Sequence, residues 1–279
     1  MLRFIRILAV ACLWLAAPAV PAHEFWMLPE PSAPAAGQSV RLSLHVGEQF
    51  AGVPVAFTPE LVATFRLLGA AGAADLRMRT LPGAVRPEVD VPLARAGTHL
   101  VVLDTHPSFI ELEADKFNAY LREEGLQRVL KARERAGTSA QPGRERYRRN
   151  VKALVQVGGV ADATYAVRTR QRLEIVPRTD PFRAVTGAAL AFEVTFDGRA
   201  LPDALLKIWR RSGDGVTQLE AVTDRLGAAS FTLPQAGTWM ASVVHMVPAA
   251  ERGIDWDSYW GNLTFAVPLA DQGSSAPRR

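Results

Sequence analysis

The sequence predicts a mainly β protein built from two Ig-like or transthyretin-like β-sandwich units, with a helical insertion in the first unit. Three observations indicate this fold class. Short segments in which apolar and polar residues alternate recur along most of the chain. Turns containing Gly or Pro separate these segments at intervals typical of sandwiches. Residues 108–150 instead carry helical periodicity. We expect the first unit over residues 23–172 and the second over residues 173–268.

The amino-terminal segment, residues 1–22, has the pattern of a secretory signal peptide. Two arginines precede an apolar run, and Val20-Pro21-Ala22 supplies small and β-branched residues at the cleavage site. The run is too short for a stable membrane span. Cleavage after Ala22 would make His23 the first residue of the mature chain and would place the protein in the periplasm.

Cysteine content and charge exclude several classes of site. Cys12 is the only cysteine, so the exported chain has no disulfides, and nitrogen and oxygen donors would have to hold any metal. A lipoprotein signal acylated at Cys12 is an alternative, although few apolar residues precede it. No later apolar stretch is long enough for a transmembrane span. A nucleic-acid partner is not expected, because the chain is exported and has no basic stripe interleaved with aromatic residues.

The strands of the first unit follow from alternation and turn residues. Three prolines exclude a helix interior from residues 24–57. Residues 40–46 alternate, with Val40, Leu42, Leu44 and Val46 on the core side and His45 on the other. Further strands are predicted at residues 63–68, 75–80 and 98–104.

The helical insertion is predicted as two helices. Residues 113–125 place Phe117, Tyr120 and Leu121 on one face, and Gly125 is positioned to end the helix. A second helix over residues 126–136 ends at Gly137.

A basic run follows the two predicted helices. Residues 144–152 hold five bases and one acid. We expect this run to start as a helix with a solvated basic face and to lead into a strand at residue 153. Its alternative role is to bind an anionic headgroup or an acidic partner.

The second unit is predicted from regularly spaced strands. Residues 190–196 alternate before a turn at Asp197-Gly198, and Gly-containing turns precede two of the later strands. The further strands are expected at residues 205–209, 229–233 and 239–247. The polar tail, residues 269–279, is expected to be disordered.

His23 is the first candidate for binding chemistry. As a mature amino terminus it would offer a free α-amine and an imidazole Nδ1, which can hold one metal ion in a chelate ring. Both groups lose their protons to a metal near neutral pH. Nitrogen donors of this type suit copper, nickel and zinc.

Other candidate ligands would have to come from distant strands. His245 is the first partner, because it lies near the end of a predicted strand, beside an acidic and aromatic loop that contains Asp257. His106 is a further candidate, since it precedes Pro107 in a loop. A core role for His245, hydrogen-bonded to backbone, remains open, as do ligand roles for His45 and His99.

Three blocks of the mature chain resemble one family. They are His23-Glu24-Phe25-Trp26, the stretch from Pro107 to Leu112 with that from Lys116 to Gly125, and Val244-His245-Met246-Val247 together with Trp256-Asp257-Ser258-Tyr259-Trp260. The chain is similar to exported bacterial proteins of unassigned function, often described as a periplasmic component of nickel or cobalt uptake. The resemblance implies Ni(II), Co(II) or Cu(II) as the metal and an inner-membrane metal transporter as the partner.

These observations favour a periplasmic accessory protein that binds a transition metal, linked to nickel or cobalt uptake. The alternative is a structural or interaction module of the cell envelope that binds no metal. A third hypothesis is a copper oxygenase with an amino-terminal histidine brace. Because the sequence contains none of the common hydrolase, zinc-protease or phosphate-loop motifs, we predict that the protein is not an enzyme.

Overall fold

The computed structural model describes residues 24–80, 85–212 and 215–268. Within these ranges the protein is mainly β and contains two α-helices, which confirms the predicted fold class. The predicted signal peptide, the candidate ligand His23 and the predicted tail from residue 269 lie outside the described residues. In the described part of the chain, no helix is long and apolar enough to cross a membrane.

Strands β1 to β9 belong to the first half of the chain. In order they are Glu24–Glu30, Ser39–Glu48, Ala51–Val55, Val62–Gly69, Gly72–Asp75, Glu88–Pro92, Gly97–Thr105, Ser108–Leu112 and Gly143–Val157. Strands β10 to β17 belong to the second half. In order they are Leu173–Pro177, Ala189–Phe196, Arg199–Ala200, Leu205–Ser212, Gly215–Val222, Ala228–Thr232, Gly237–Pro248 and Trp256–Val267. Helices α1 (Ala114–Glu123) and α2 (Gln127–Arg135) lie between β8 and β9.

The strands form three sheets. The amino-terminal sheet contains β1, β2, β3 and β6, and the carboxy-terminal sheet contains β10, β11, β12 and β15. The central sheet has the order β14-β13-β16-β17-β9-β7-β4-β5, with β8 also paired to β9. It contains strands from both halves of the chain, joined by the parallel pair of β9 and β17. The predicted division near residue 172 stays a prediction.

The central sheet is buried on both faces, and β7 shows why its sequence is continuously apolar. Val101 and Leu103 pack with the amino-terminal sheet. Leu100 and Val102, which alternate with them, pack with the carboxy-terminal sheet. Successive side chains of a strand point to opposite faces, so a strand between two cores needs apolar residues at every position.

The helical insertion covers the rest of the face that carries the amino-terminal sheet. Phe117, Tyr120 and Leu121 are buried as predicted, and Tyr120 stacks on Trp260 of β17 with ring centroids 5.7 Å apart. Gly125 has φ +67, the left-handed conformation that glycine supplies most easily. The two predicted helices are therefore confirmed.

The basic run is a strand, which corrects the predicted helix over residues 144–150. Strand β9 begins at Gly143 and is paired with β8 and β7 on one side and with β17 on the other. These distant pairings outweigh local helical periodicity. Gly143 also meets α1 closely, since a Cβ added there would lie 2.3 Å from the Phe117 ring. The insertion is accordingly shorter than predicted, and its helices cover residues 114–135.

Two further expectations are corrected. The strand predicted at residues 75–80 ends at Asp75, where β5 gives way to a 3-10 turn over Arg77–Thr80. The acidic and aromatic loop expected at residues 255–260 is instead the beginning of β17, because residues from Trp256 onward pair with both β9 and β16.

The basic charges of β9 are paired within the protein. Arg144 donates to both carboxylate oxygens of Asp255, at 3.1 and 2.8 Å. Arg146 donates to both oxygens of Asp257, at 2.6 and 2.9 Å, and also contacts Glu251. The run is therefore neutralised largely by acids next to the start of β17, not exposed as a free basic face.

Buried charged side chains lie on both faces of the central sheet. Lys152 of β9 donates to Glu174 of β10 at 3.0 Å, and both side chains are at most 3% exposed. On the opposite face, Glu145 is 1% exposed beneath the helical insertion and accepts hydrogen bonds from Ser258 and Tyr120. Burial raises the pKa of Glu145 to about 7, although these hydrogen bonds act in the opposite direction.

We expect Lys152→Met to destabilise the protein by about 3–5 kcal/mol, because the Glu174 carboxylate would remain buried without its cation. Adding Glu174→Gln should recover much of this loss, since glutamine keeps an acceptor for Thr169. The control Arg128→Ala removes the exposed ion pair with Asp203 and should cost no more than about 1 kcal/mol. Urea unfolding measures all three. A loss for Lys152→Met as small as that for Arg128→Ala would contradict this account.

We expect the contribution of Glu145 to stability to fall as pH rises from about 4.5 to about 7, because the unfolded chain releases the Glu145 proton near 4.5 and the folded chain keeps it until about 7. Glu145→Gln should reduce this fall by up to about 3 kcal/mol, since glutamine stays uncharged. Glu111→Gln, an exposed change on neighbouring β8, is the matched control. Unfolding free energies measured at pH 5 and pH 8 test this contribution of Glu145. Identical pH dependence in the wild type and Glu145→Gln would refute it.

Candidate functional site

The start of β1 positions the candidate site. Glu24–Glu30 pairs antiparallel with β2, and Glu24 lies opposite Gly47. Phe25 and Met27 enter the core of the amino-terminal sheet. Trp26 points the other way and packs in a cluster with Phe50, Trp209 and Met240. Trp209 and Met240 belong to the second half of the chain. The first described residue is thus held between the two halves of the chain.

Glu24 is a buried carboxyl with an altered proton affinity. Only 7% of the Glu24 residue surface is exposed. Burial raises the pKa of Glu24 to about 7, and the neighbouring carboxyl of Glu124 raises it further, whereas Lys207 lowers it. Lys207 donates to Glu124 at 3.0 Å. The cation that acts on Glu24 is therefore already bonded to another buried carboxyl.

A polar layer continues across the same face of the central sheet. Lys207, Ser242 and Asn262 are register partners on β13, β16 and β17, so their side chains lie on one face. Glu145 contacts Ser258, four residues before Asn262 and therefore on the same face of β17. Tyr120 is influenced by both ends of the layer. Burial is the largest cause that raises its pKa, and the charges of Glu145 and Glu124 raise it further.

One buried atom of this layer, Asn262 Oδ1, has no hydrogen-bond partner among the described residues. Glu145 is instead surrounded by donors, because Ser258, Tyr120 and Trp260 all form hydrogen bonds with its carboxyl group. Buried polar groups are normally paired, since leaving one unpaired costs about 1–3 kcal/mol. The amide oxygen of Asn262 is thus an acceptor that the described residues do not use.

His245 lies on the opposite face of the central sheet. Its ring contacts Phe196 of the carboxy-terminal sheet, with centroids 4.4 Å apart. Burial lowers the pKa of His245 to about 4, with a contribution from Arg128 that Asp197 opposes. The imidazole is therefore neutral at pH 7, as a metal ligand must be, but the central sheet separates it from Glu24.

The other predicted ligands are occupied or isolated. Asp257 is held by Arg146 and Arg148, and the hydrogen bond from Arg146 lowers its pKa. His106 is exposed and immediately follows β7. Within the described ranges, no group of three or more His, Cys, Asp or Glu side chains is arranged to hold a metal. The predicted set of His23, His245, His106 and Asp257 stays a prediction, because His23 is not among those residues.

The remaining histidines have structural partners. His45 Nε2 lies 2.9 Å from Ser43 Oγ, and its ring stacks on Trp26 at 5.7 Å. His99 Nε2 lies 3.0 Å from the Arg95 carbonyl oxygen. Both contacts explain these residues without a ligand role.

Sequence reasoning missed the buried carboxyls of the polar layer. Glu24 follows His23 directly and begins the apolar strand Phe25-Trp26-Met27, so an acidic residue at the edge of a buried segment was a usable signal. Glu124 and Glu145 carried no such signal, because each stands in a strongly charged stretch typical of exposed residues.

Three solved structures show a distant likeness to this chain. A mutant of Salmonella alpha-2-macroglobulin is 10% identical, with a TM-score of 0.24, and the match covers 95% of this chain and 16% of that one. Trypsin-activated alpha-2-macroglobulin from Escherichia coli is 8% identical, with a TM-score of 0.21 and coverages of 88% and 15%. A tetra-tandem repeat from a large adhesion protein is 11% identical, with a TM-score of 0.21 and coverages of 89% and 50%. At these TM-scores the likeness supports no functional inference.

Comparison with curated proteins found no match. A family model described as "Domain of unknown function (DUF4198)" matches residues 20–247. This match confirms the resemblance to a family of unassigned function, whereas the link to nickel or cobalt uptake stays a prediction. Because the match covers most of the sequence, the chain belongs to the DUF4198 family, a domain of unknown function.

Proposed function

We propose that the protein is a periplasmic accessory protein that binds a transition metal at the start of β1. The His23 α-amine and Nδ1 would form the chelate, and the Glu24 carboxylate would add an oxygen donor. The observation that carries this proposal is Glu24, a buried carboxyl whose pKa burial raises to about 7, while Lys207, which acts to lower that pKa, is bonded to Glu124.

A metal cation would compensate the buried negative charge of this region. Glu24, Glu124 and Glu145 are all at most 7% exposed. Lys207 pairs with Glu124, and the guanidinium of Arg149 acts on Glu145, so the proposed metal would serve Glu24 above all. Buried carboxylates are normally paired with cations or coordinate a metal. In the mature chain His23 would directly precede Glu24, and consecutive Cα atoms are about 3.8 Å apart.

The donor types fit the metals implied by the family. Amine and imidazole nitrogens suit Cu(II) and Ni(II), and affinity at such donors rises from cobalt through nickel to copper. The unpaired amide oxygen of Asn262 supports the fit, because it is an oxygen donor buried in the same polar layer. Transfer of the metal to an inner-membrane transporter is part of the proposal and rests on the family resemblance.

The alternative of an envelope interaction module receives less support from the geometry. Its main sequence feature was the basic run, and Arg144, Arg146 and Arg148 are paired with acids of the same chain. The brace oxygenase would need a second histidine beside His23, and His245 lies on the other face of the central sheet.

We expect the mature protein beginning at His23 to bind one equivalent of Cu(II), and Ni(II) more weakly, in calorimetric titration. One alanine inserted before His23 should weaken binding by tenfold or more, about 1.4 kcal/mol, because it moves the amine away from the imidazole. Glu24→Gln should weaken it in the same direction. His245→Ala and the control His99→Ala should bind as the wild type does.

Equal binding by the wild type and the extended variant would refute the amino-terminal chelate. A loss confined to His245→Ala would favour the ligand set centred on His245 over the one at Glu24. If Cu(II), Ni(II) and Co(II) all fail to bind, the interaction module becomes the better explanation.

Metal binding should weaken as pH falls below about 7. The amine, the imidazole and the Glu24 carboxyl must each lose a proton to bind, and the pKa of Glu24 stands at about 7 in the metal-free protein. Titrations at pH 8, 7 and 6 should show a smaller decrease for Glu24→Gln than for the wild type, because one competing proton is absent. The same decrease in both proteins would exclude Glu24 as a ligand.

A further inference from the structure

A row of arginines stands before β10, on the side of the molecule opposite the polar layer. Residues 168–172 alternate strictly between buried and exposed positions. Thr169 and Gln171 are each 5% exposed. Arg168, Arg170 and Arg172 are exposed between and beside them. All three arginines line the same groove, which brings their side chains to one side of the segment.

Buried hydrogen bonds hold this segment in place. The Thr169 backbone N–H and hydroxyl donate to Glu174 Oε1, at 2.6 and 2.8 Å. Gln171 Nε2 donates to Asp104 at 2.8 Å and to the Leu103 carbonyl oxygen at 3.2 Å. The backbone that carries the arginines is therefore anchored to the central sheet, and the positions of their Cα atoms are set by the fold.

The two outer arginines are oriented by carboxylates. Arg168 donates to Glu193 at 2.6 Å. Arg172 donates to both oxygens of Asp197, at 2.7 and 2.8 Å, and its guanidinium lies 4.5 Å from the centre of the Tyr259 ring. These contacts limit the motion of both side chains and leave part of each guanidinium facing outward, since the side chains are 46% and 51% exposed.

Arg170, in the middle of the row, is different. It has no hydrogen bond, ion pair or ring contact within the described part of the chain. Its backbone φ is +66, a conformation uncommon for a residue with a Cβ. The fold thus holds one uncompensated guanidinium between two oriented ones.

The three arginines line an open groove of about 350 Å³, together with Gln171, Glu174, Asp197 and Gly198. Glu174 is already compensated by Lys152. Asp197 and Glu193 are compensated by Arg172 and Arg168. The charge left in the groove is therefore that of Arg170, and it is positive.

We infer that this groove binds an oxyanion, a phosphate or carboxylate group, through Arg170 with assistance from Arg168 and Arg172. A planar guanidinium offers paired N–H donors that match two oxygens of such a group. The volume accommodates a phosphate group with part of the molecule that carries it. The inference is independent of the proposed metal site, which lies on the other face of the central sheet.

The site is tested on the mature chain with inorganic phosphate and pyrophosphate, by calorimetry at low salt. We expect pyrophosphate to bind more tightly than phosphate, and binding to weaken with added NaCl. Arg170→Ala should reduce affinity about tenfold, and Arg170→Lys should lie between, because lysine keeps the charge but not the paired donors. The control is Arg225→Ala, an exposed turn arginine in the second half.

Vesicle sedimentation separates two sources of the phosphate group. Retention on phosphatidylglycerol vesicles but not on phosphatidylcholine vesicles, lost in Arg170→Ala, would identify a lipid headgroup. Binding of free pyrophosphate without vesicle retention would identify a soluble ligand, and both outcomes support the site. Absence of binding to either anion at millimolar concentration, or equal affinity in wild type and Arg170→Ala, would overturn the inference. Unfolding measurements on Arg170→Ala confirm that the comparison is between folded proteins.

Discussion

The parallel pairing of β9 with β17 is the constraint on which the rest of the structure depends. It joins strands from the two halves into one central sheet, and its register runs from Glu145 opposite Trp256 to Ala153 opposite Thr264. Ion pairs between Arg144 and Asp255, next to this pair, connect the same two segments. A slip of one residue would exchange the two faces of β9, moving Glu145 out from beneath the insertion.

The two faces of this sheet carry different chemistry. The face covered by the amino-terminal sheet and the helical insertion contains the buried carboxyls of Glu24, Glu124 and Glu145, and the amide oxygen of Asn262 is unpaired among the described residues. The opposite face contains arginines held by acids and stacked on Tyr259. Because a packed sheet of backbone lies between them, a cation site on one face and an oxyanion site on the other can coexist without neutralising each other.

Buried charge in this protein is therefore of two kinds. Lys152 and Glu174 form a closed pair whose remaining acceptor capacity is used by Thr169. Glu24 has no such pair within the part of the chain that the structure describes, and its raised pKa reflects the cost of keeping a carboxylate away from water. A closed pair serves the fold, whereas an uncompensated carboxyl beside a mature amino terminus is suited to a ligand that brings its own charge.

The sequence by itself determined the local elements. Alternation identified β2 and β11, helical spacing identified α1 and α2, and Gly125 and Gly137 marked where the helices end. These signals are local, because each depends on residues a few positions apart along one strand or one turn of helix. Only the tertiary structure decided that Arg144 to Lys152 is a strand, that β17 begins at Trp256, and that His245 and Glu24 lie on opposite faces. Each of these depends on contacts between distant segments, such as the pairing of β9 with β17, for which a single sequence carries no periodicity.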